Sequence, residues 1–170
     1  ADVRPKNADY SLLLGEYHLS TNEPLLALGY FDRLIEAGAT SPEILGKAAQ
    51  AEFLSADRQL SERARSRAQQ ALALDPMASA ALATLGMAAF EAADFAAAIR
   101  YWETLRSLEP EGSPGHQMLG QVIERARSEM DDSNTLSEVP VGLVVRATLP
   151  DAFEVDPEAT VYVLARPEQR

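Results

Sequence analysis

SAALATLGMAAFEAADFAAAIRYWETLRSLEP, residues 79–110, decides the fold. It holds two apolar runs at helical spacing, with Leu82, Leu85 and Gly86 in the first and Ala98, Trp102 and Leu105 in the second, joined by Ala93-Asp94-Phe95. Pro110 closes it, and Pro76, thirty-four residues earlier, closes a run of the same character. The two endings are AQQALALDP and YWETLRSLEP. A proline ends a helix because it lacks a backbone donor and biases its predecessor away from helical geometry.

A period of this length, with small and aromatic residues at these offsets, is the signature of the tetratricopeptide repeat (TPR), a pair of short antiparallel helices. The Ala93–Phe95 connection stands where such repeats carry a Gly-Asp-Tyr turn. Gly86 and Ala98 are expected at the closest approach of the two backbones, where a larger side chain costs about 1–3 kcal/mol, with Leu85 and Trp102 on either side. Outward in the same register, a unit over 8–41 repeats the pattern with Leu14, Gly15, Ala27, Phe31 and Leu34. A unit over 42–78 supplies Leu45, Ala48, Ala49, Ala64, Ala68 and Ala71, provided three extra residues separate its helices, within SADRQLSERAR. The third unit is 79–112. A further first helix over 113–130 recovers the pair Leu119-Gly120 without a second helix, as a capping helix that covers the last apolar face. The reading is an all-α TPR superhelix of three helix pairs plus a cap, seven helices in all.

After Met130 the composition changes. DDSNTLSEVP, 131–140, reads as a linker, and VGLVVRATL and TVYVLA read as two strands of a partial β domain over 141–170, joined by Pro150 to Ala159. Two strands alone are marginally stable, so the β segment reads as incomplete, and the start at Ala1 suits a piece of something longer.

The net charge of −11 repels phosphate backbones and anionic head groups, which disfavours nucleic acid and membrane surfaces and favours a basic polypeptide. With no cysteine there is no thiolate nucleophile or Cys-based metal site, and no stretch approaches the roughly 20 apolar residues of a membrane span. His18 and His116 fall in separate helices without metal-site spacing, and the carboxylates Glu109, Glu111, Asp131 and Asp132 lie in expected linkers. No phosphate loop, nucleophile elbow or HExxH occurs, so the chain reads as a binding protein rather than an enzyme, with no catalytic residue, metal or cofactor.

Function then falls to the face of the first helices. If Leu-Gly marks the seam, residues three before it and three or four after it point into a peptide-binding groove: Leu12, Glu16 and Leu19; Gln50 and Phe53; Ala83, Met87 and Phe90; Gln117 and Gln121. Leu19, Phe53, Met87 and Phe90 are apolar where a solvated face is polar, which suits an amphipathic helix laid in the groove; a register shift of one residue puts them in the core instead. Glu16, Gln50 and Met87 stand where chaperone-binding TPR domains carry a Lys, Asn and Arg clamp for a C-terminal carboxylate, so that guest is a poor fit.

The run RARSRAQQALALDPMASAALATLGMAAFEAADFAAAIRYWETL, with the leading LLLGEYHL, resembles the periplasmic TPR subunits of the bacterial cytochrome c maturation (haem lyase) system, the CycH type and its nitrite-reductase-specific relatives, over residues 9 to about 130. VGLVVRATLPDAFEVDPEATVYVLARP resembles the first half of the β domain that follows the repeats in the CycH type. The resemblance implies a periplasmic chaperone, tethered to the inner membrane by a segment absent from this chain. It would hold the C-terminal helix of apocytochrome c for haem attachment, beside other haem lyase subunits. The alternative is a general TPR scaffold for another cell-envelope assembly or secretion machinery. A third reading, a metal or haem carrier using the two histidines, predicts a Soret band on mixing with haem, and none is expected.

Overall fold

Six of the seven described helices begin where a proline or a side-chain cap meets the needs of the first turn; the fifth, which starts after Ala78, has neither. In the computed structural model the described residues are 5–138, with side chains placed over 8–132. Among them are α1 (Pro5–Ser20), α2 (Pro24–Glu36), α3 (Pro42–Ser55), α4 (Glu62–Leu74), α5 (Ser79–Glu91), α6 (Phe95–Arg106) and α7 (Pro114–Glu138). Ser41 and Ser61 accept hydrogen bonds from the Ile44 and Ala64 amides at 3.3 and 3.0 Å, and Asp94 accepts one from Ala97 at 3.0 Å. Ser113 does the same for His116 ahead of α7 at 3.1 Å. Each cap satisfies a donor that the helix itself leaves unpaired.

The turns within the first and third hairpins are copies of one another. Asn22 and Ala93 both adopt left-handed backbone, with φ of 59° and 57°. Behind them the amides of Glu23 and Asp94 reach back to the carbonyls of His18 and Ala89 at 2.8 and 2.9 Å, closing each helix in a six-residue ring. The second hairpin differs. Its connection occupies 56–61, six residues against three in the others, with both Asp57 and Arg58 left-handed, so the three-residue insertion lies where the sequence placed it.

Packing pairs α1 with α2, α3 with α4 and α5 with α6, stacks the pairs through α2–α3, α3–α5 and α4–α5, and closes with α7 against α6. The glycines of the repeat explain the close fit. A Cβ on Gly86 would lie 2.6 Å from Cδ1 of Trp102, and one on Gly15 would lie 2.7 Å from the Phe31 ring. The seam glycine therefore admits the aromatic ring of the partner helix. This corrects the expected contact of Gly86 with Ala98, which is fully buried but is not what limits the glycine. Gly46 serves a different junction, since a Cβ there would meet the Ala81 backbone nitrogen of the next hairpin at 3.2 Å.

Three apolar clusters run along the stack. Ala27, Leu28, Phe31 and Leu34 of α2 meet Ile44, Ala48 and Ala51 of α3; Leu45 and Ala49 of α3 meet Ala68, Ala71, Ala81 and Leu85; Ala98 and Trp102 of α6 meet Leu119, Ile123 and Ala126 of α7. A buried Phe or Leu contributes about 1.5–3 kcal/mol here, and the many alanines set how closely the helices approach. One charge network around the buried Glu52 joins three helices. Glu52 of α3 takes Arg63 at 2.9 Å, Arg67 at 3.2 Å and the Ser61 hydroxyl, while Asp32 of α2 takes Arg67 at 2.6 Å. The hydrogen bond to Glu52 raises Arg63 above the ordinary guanidinium value, and the pairing offsets the cost of burying the carboxylate.

Two boundaries differ from the sequence reading. Residues 131–138, expected as linker, continue α7 to Glu138, because nothing before Pro140 breaks the helix. The prolines also act unequally: α4 ends at Leu74 with Asp75 extended before Pro76, whereas α6 ends at Arg106, four residues ahead of Pro110. The two expected strands and the end of the linker lie outside the described residues.

Candidate functional site

The first helix of each hairpin and the cap are linked side by side. Lys47 of α3 binds Glu16 of α1 and lies 3.7 Å from Glu43, Gly46 lets α3 approach α5, and Arg125 of α7 sits 5.5 Å over the Phe90 ring of α5. These links set α1, α3, α5 and α7 as one strip of helices that carries the ten residues singled out by the sequence.

Nine of the ten reach solvent to some degree. Leu12 and Leu19 are half-buried against the first cluster, and Met87 and Phe90 are half-buried against the third. Glu16, Gln50 and Ala83 are half-buried, and Gln117 and Gln121 on α7 are exposed. Phe53 is the correction: it is 0 % exposed and offers a guest no surface. The helical register turns its side chain inward and leaves the adjacent Leu54 half-buried instead. The four apolar candidates are thus not equivalent, since one is core and three share their surface between core and solvent.

Phe90 shows what that sharing means. Its ring stands 5.4 Å from Phe95 and 5.6 Å from Trp102, with Arg125 over its face. Truncating it would remove packing as well as exposed apolar area. The patch around Met87 and Phe90 therefore rests on a rigid aromatic base, while Glu16 and Glu43 beside Lys47 leave the α1–α3 end acidic. Such a strip can take an apolar helix face along its length and basic side chains at one end.

Each histidine has one ring nitrogen engaged within the chain. His18 donates from Nδ1 to Glu23 at 2.7 Å and stacks on Tyr30 at 5.4 Å, and His116 accepts from Arg106 at 3.1 Å. The hydrogen bond from His18, then that from Thr21, holds the Glu23 carboxyl below its ordinary value.

The sequence reading missed a second concavity. The inserted connection of the second hairpin and helices α5 and α6 enclose a cleft of about 580 Å³, floored by Leu60, Leu85, Ala97 and Tyr101. Across it Arg58 pairs with Glu91 at 3.0 Å. The three extra residues were the signal that something is built there. Among the described residues no helix is long and apolar enough to cross a membrane.

Residues 2–116 match the model of a family described as the cytochrome c-type biogenesis protein H TPR domain. Over 96% of its length the chain is 31% identical to cytochrome c-type biogenesis protein CycH of Pseudomonas aeruginosa, of which it covers 42%. Over 62% of its length it is 29% identical to formate-dependent nitrite reductase complex subunit NrfG of Escherichia coli O157:H7, of which it covers 54%. The chain spans about half the length of these curated relatives. The crystal structure of the Sgt2 TPR domain from Aspergillus fumigatus superposes with a TM-score of 0.63, covering 85% of this chain and 92% of that one. At 23% identity that likeness concerns the fold alone.

Proposed function

The chain belongs to the family of the cytochrome c-type biogenesis protein H TPR domain, and from that premise we propose that it is a non-catalytic chaperone of c-type cytochrome maturation. In this reading it works on the periplasmic side of the membrane, beside other haem lyase subunits, and holds the C-terminal helix of apocytochrome c for haem attachment. The observation that carries the proposal is the half-buried Leu12, Leu19, Met87 and Phe90 along the strip of first helices, within a body of net charge −11. An amphipathic helix with a basic face gains apolar burial on that strip and attraction to the surrounding carboxylates. Met87 adapts such a surface to more than one guest sequence.

Titration with fluorescent peptides matching apocytochrome c C-termini tests this. Saturable binding at micromolar peptide, weakened by salt, is the expected result. The variant Glu43→Gln removes a negative charge at an exposed position of the acidic α1–α3 end. It should weaken a basic guest about fivefold, roughly 1 kcal/mol, with an unchanged melting curve. No binding at high micromolar peptide in low salt would defeat the proposal and favour a general scaffold for another envelope or secretion assembly.

A further inference from the structure

The strip of first helices ends in opposite chemistry. Its α1–α3 end offers acceptors: Glu16 and Glu43 share the one ammonium of Lys47. Asp9, exposed on α1, holds the same place in the first repeat that Glu43 holds in the second. The α5–α7 end offers a donor. Arg125 is exposed on α7 one turn beyond Gln121, and its guanidinium lies 5.5 Å over the ring of Phe90. The carboxylates around it on this strip are engaged by other arginines, Glu91 by Arg58 at 3.0 Å and Glu124 by Arg127. Arg125 itself forms no ion pair and no side-chain hydrogen bond among the described residues. The aromatic face therefore orients the guanidinium and leaves the donors on its edge unspent.

We infer that Arg125 receives the carboxyl end of the guest helix, so that the strip binds its guest in one direction, amino end over α1–α3 and carboxyl end over α5–α7. The inference rests on the proposed binding of an amphipathic helix and adds its polarity. A helix leaves N–H groups unpaired at its amino end, with about half a positive charge, and carbonyls unpaired at its carboxyl end, with about half a negative charge. Asp9, Glu16 and Glu43 complement the first of these ends. Arg125 complements the second, because an arginine fork donates to the last carbonyls of a helix and to any carboxylate beside them. A reversed guest would set its carbonyls against carboxylates and its positive end against a guanidinium. Phe90 then has two tasks, since its ring gives the guest apolar area and holds the cation that reads the guest's direction.

Because the chain lacks cysteine, single thiols can report the direction. Ser20, which holds on α1 the repeat position of Arg125, and Gln121 on α7 are both exposed, so Ser20→Cys and Gln121→Cys mark the two ends of the strip. Apocytochrome c C-terminal peptides with one cysteine at either end are mixed with each variant under mild oxidation, and the mixed disulfides are measured. The amino-end thiol should trap Ser20→Cys and the carboxyl-end thiol Gln121→Cys, each about threefold or more over the crossed pairs. Adding Arg125→Glu should abolish that preference and weaken the peptide about threefold, with the helical circular dichroism spectrum retained, whereas Arg125→Lys keeps the charge and should keep the preference. Equal or inverted trapping of a peptide that binds would overturn the direction and leave the proposed function standing. A preference that survives Arg125→Glu would remove Arg125 as its cause, and a peptide that fails to bind at all would remove the inference and the proposed function together.

Discussion

The third hairpin and the cap carry the same two letters, Leu85-Gly86 and Leu119-Gly120, and use them differently. Gly86 lies under the indole of Trp102, whereas a Cβ on Gly120 would meet no atom nearer than Arg106 at 3.8 Å. In the hairpin the glycine is held in place by an aromatic side chain sixteen residues later. Among the described residues no second helix brings such a ring to the cap, and the glycine is an ordinary weak point on a part-exposed side of α7. The pair therefore marks a seam when its partner helix exists, and the partner supplies the physical reason.

The sharpest way to break this comparison is Gly86→Ala. Helix propensity alone predicts a gain of about 1 kcal/mol. The added methyl, however, would sit 2.6 Å from Trp102 Cδ1, and an indole packed among Phe90, Leu119 and Ile123 has nowhere cheap to go. The net expectation is a loss of about 1–3 kcal/mol. Urea unfolding followed by the fluorescence of Trp102, the chain's one tryptophan, measures it. Unchanged or increased stability would mean that the indole moves aside freely and that the seam glycine is not a packing requirement.

Gly120→Ala is the matching test, with the opposite sign. Its methyl enters ordinary van der Waals space, so only the propensity term remains, a gain of about 0.5–1 kcal/mol by the same unfolding assay. A loss there would show that α7 packs against something at Gly120 that the comparison overlooks.

The same contrast shows how far the sequence could be read. Repeats and their offsets were legible because a 34-residue period with alanine and aromatic positions is a constraint on chain geometry, recorded in full by the first and third units and by the alanines of the second. The insertion was legible because it broke that period. Phe53 was not, because first-helix positions alternate between seam, neighbour and groove within one turn, and a small register error moves a residue from solvent to core. The reach of α7 through residues 131–138 was missed for a related reason: polar composition alone does not separate a helix end from a linker. The network of Asp32, Glu52, Arg63 and Arg67 joins three helices and left no local pattern to find.

The smallest expected effect compares the turns of the first and third hairpins. Both place one residue in left-handed backbone, Asn22 at φ 59° in the first and Ala93 at φ 57° in the third. Asparagine tolerates that region, because its short polar side chain can bond locally, whereas alanine bears a steric cost of about 1–2 kcal/mol there. Glycine removes that cost but gives the unfolded chain more freedom, which returns about 0.5–1 kcal/mol of the benefit. Ala93→Gly should therefore stabilise the chain by about 0.5 kcal/mol, and Asn22→Gly should change it less. Neither change touches a packed side chain, since both residues are exposed, so the difference between the two variants isolates the backbone term. If Asn22→Gly gains as much as Ala93→Gly, the local bonding of asparagine contributes nothing and the two turns are energetically the same.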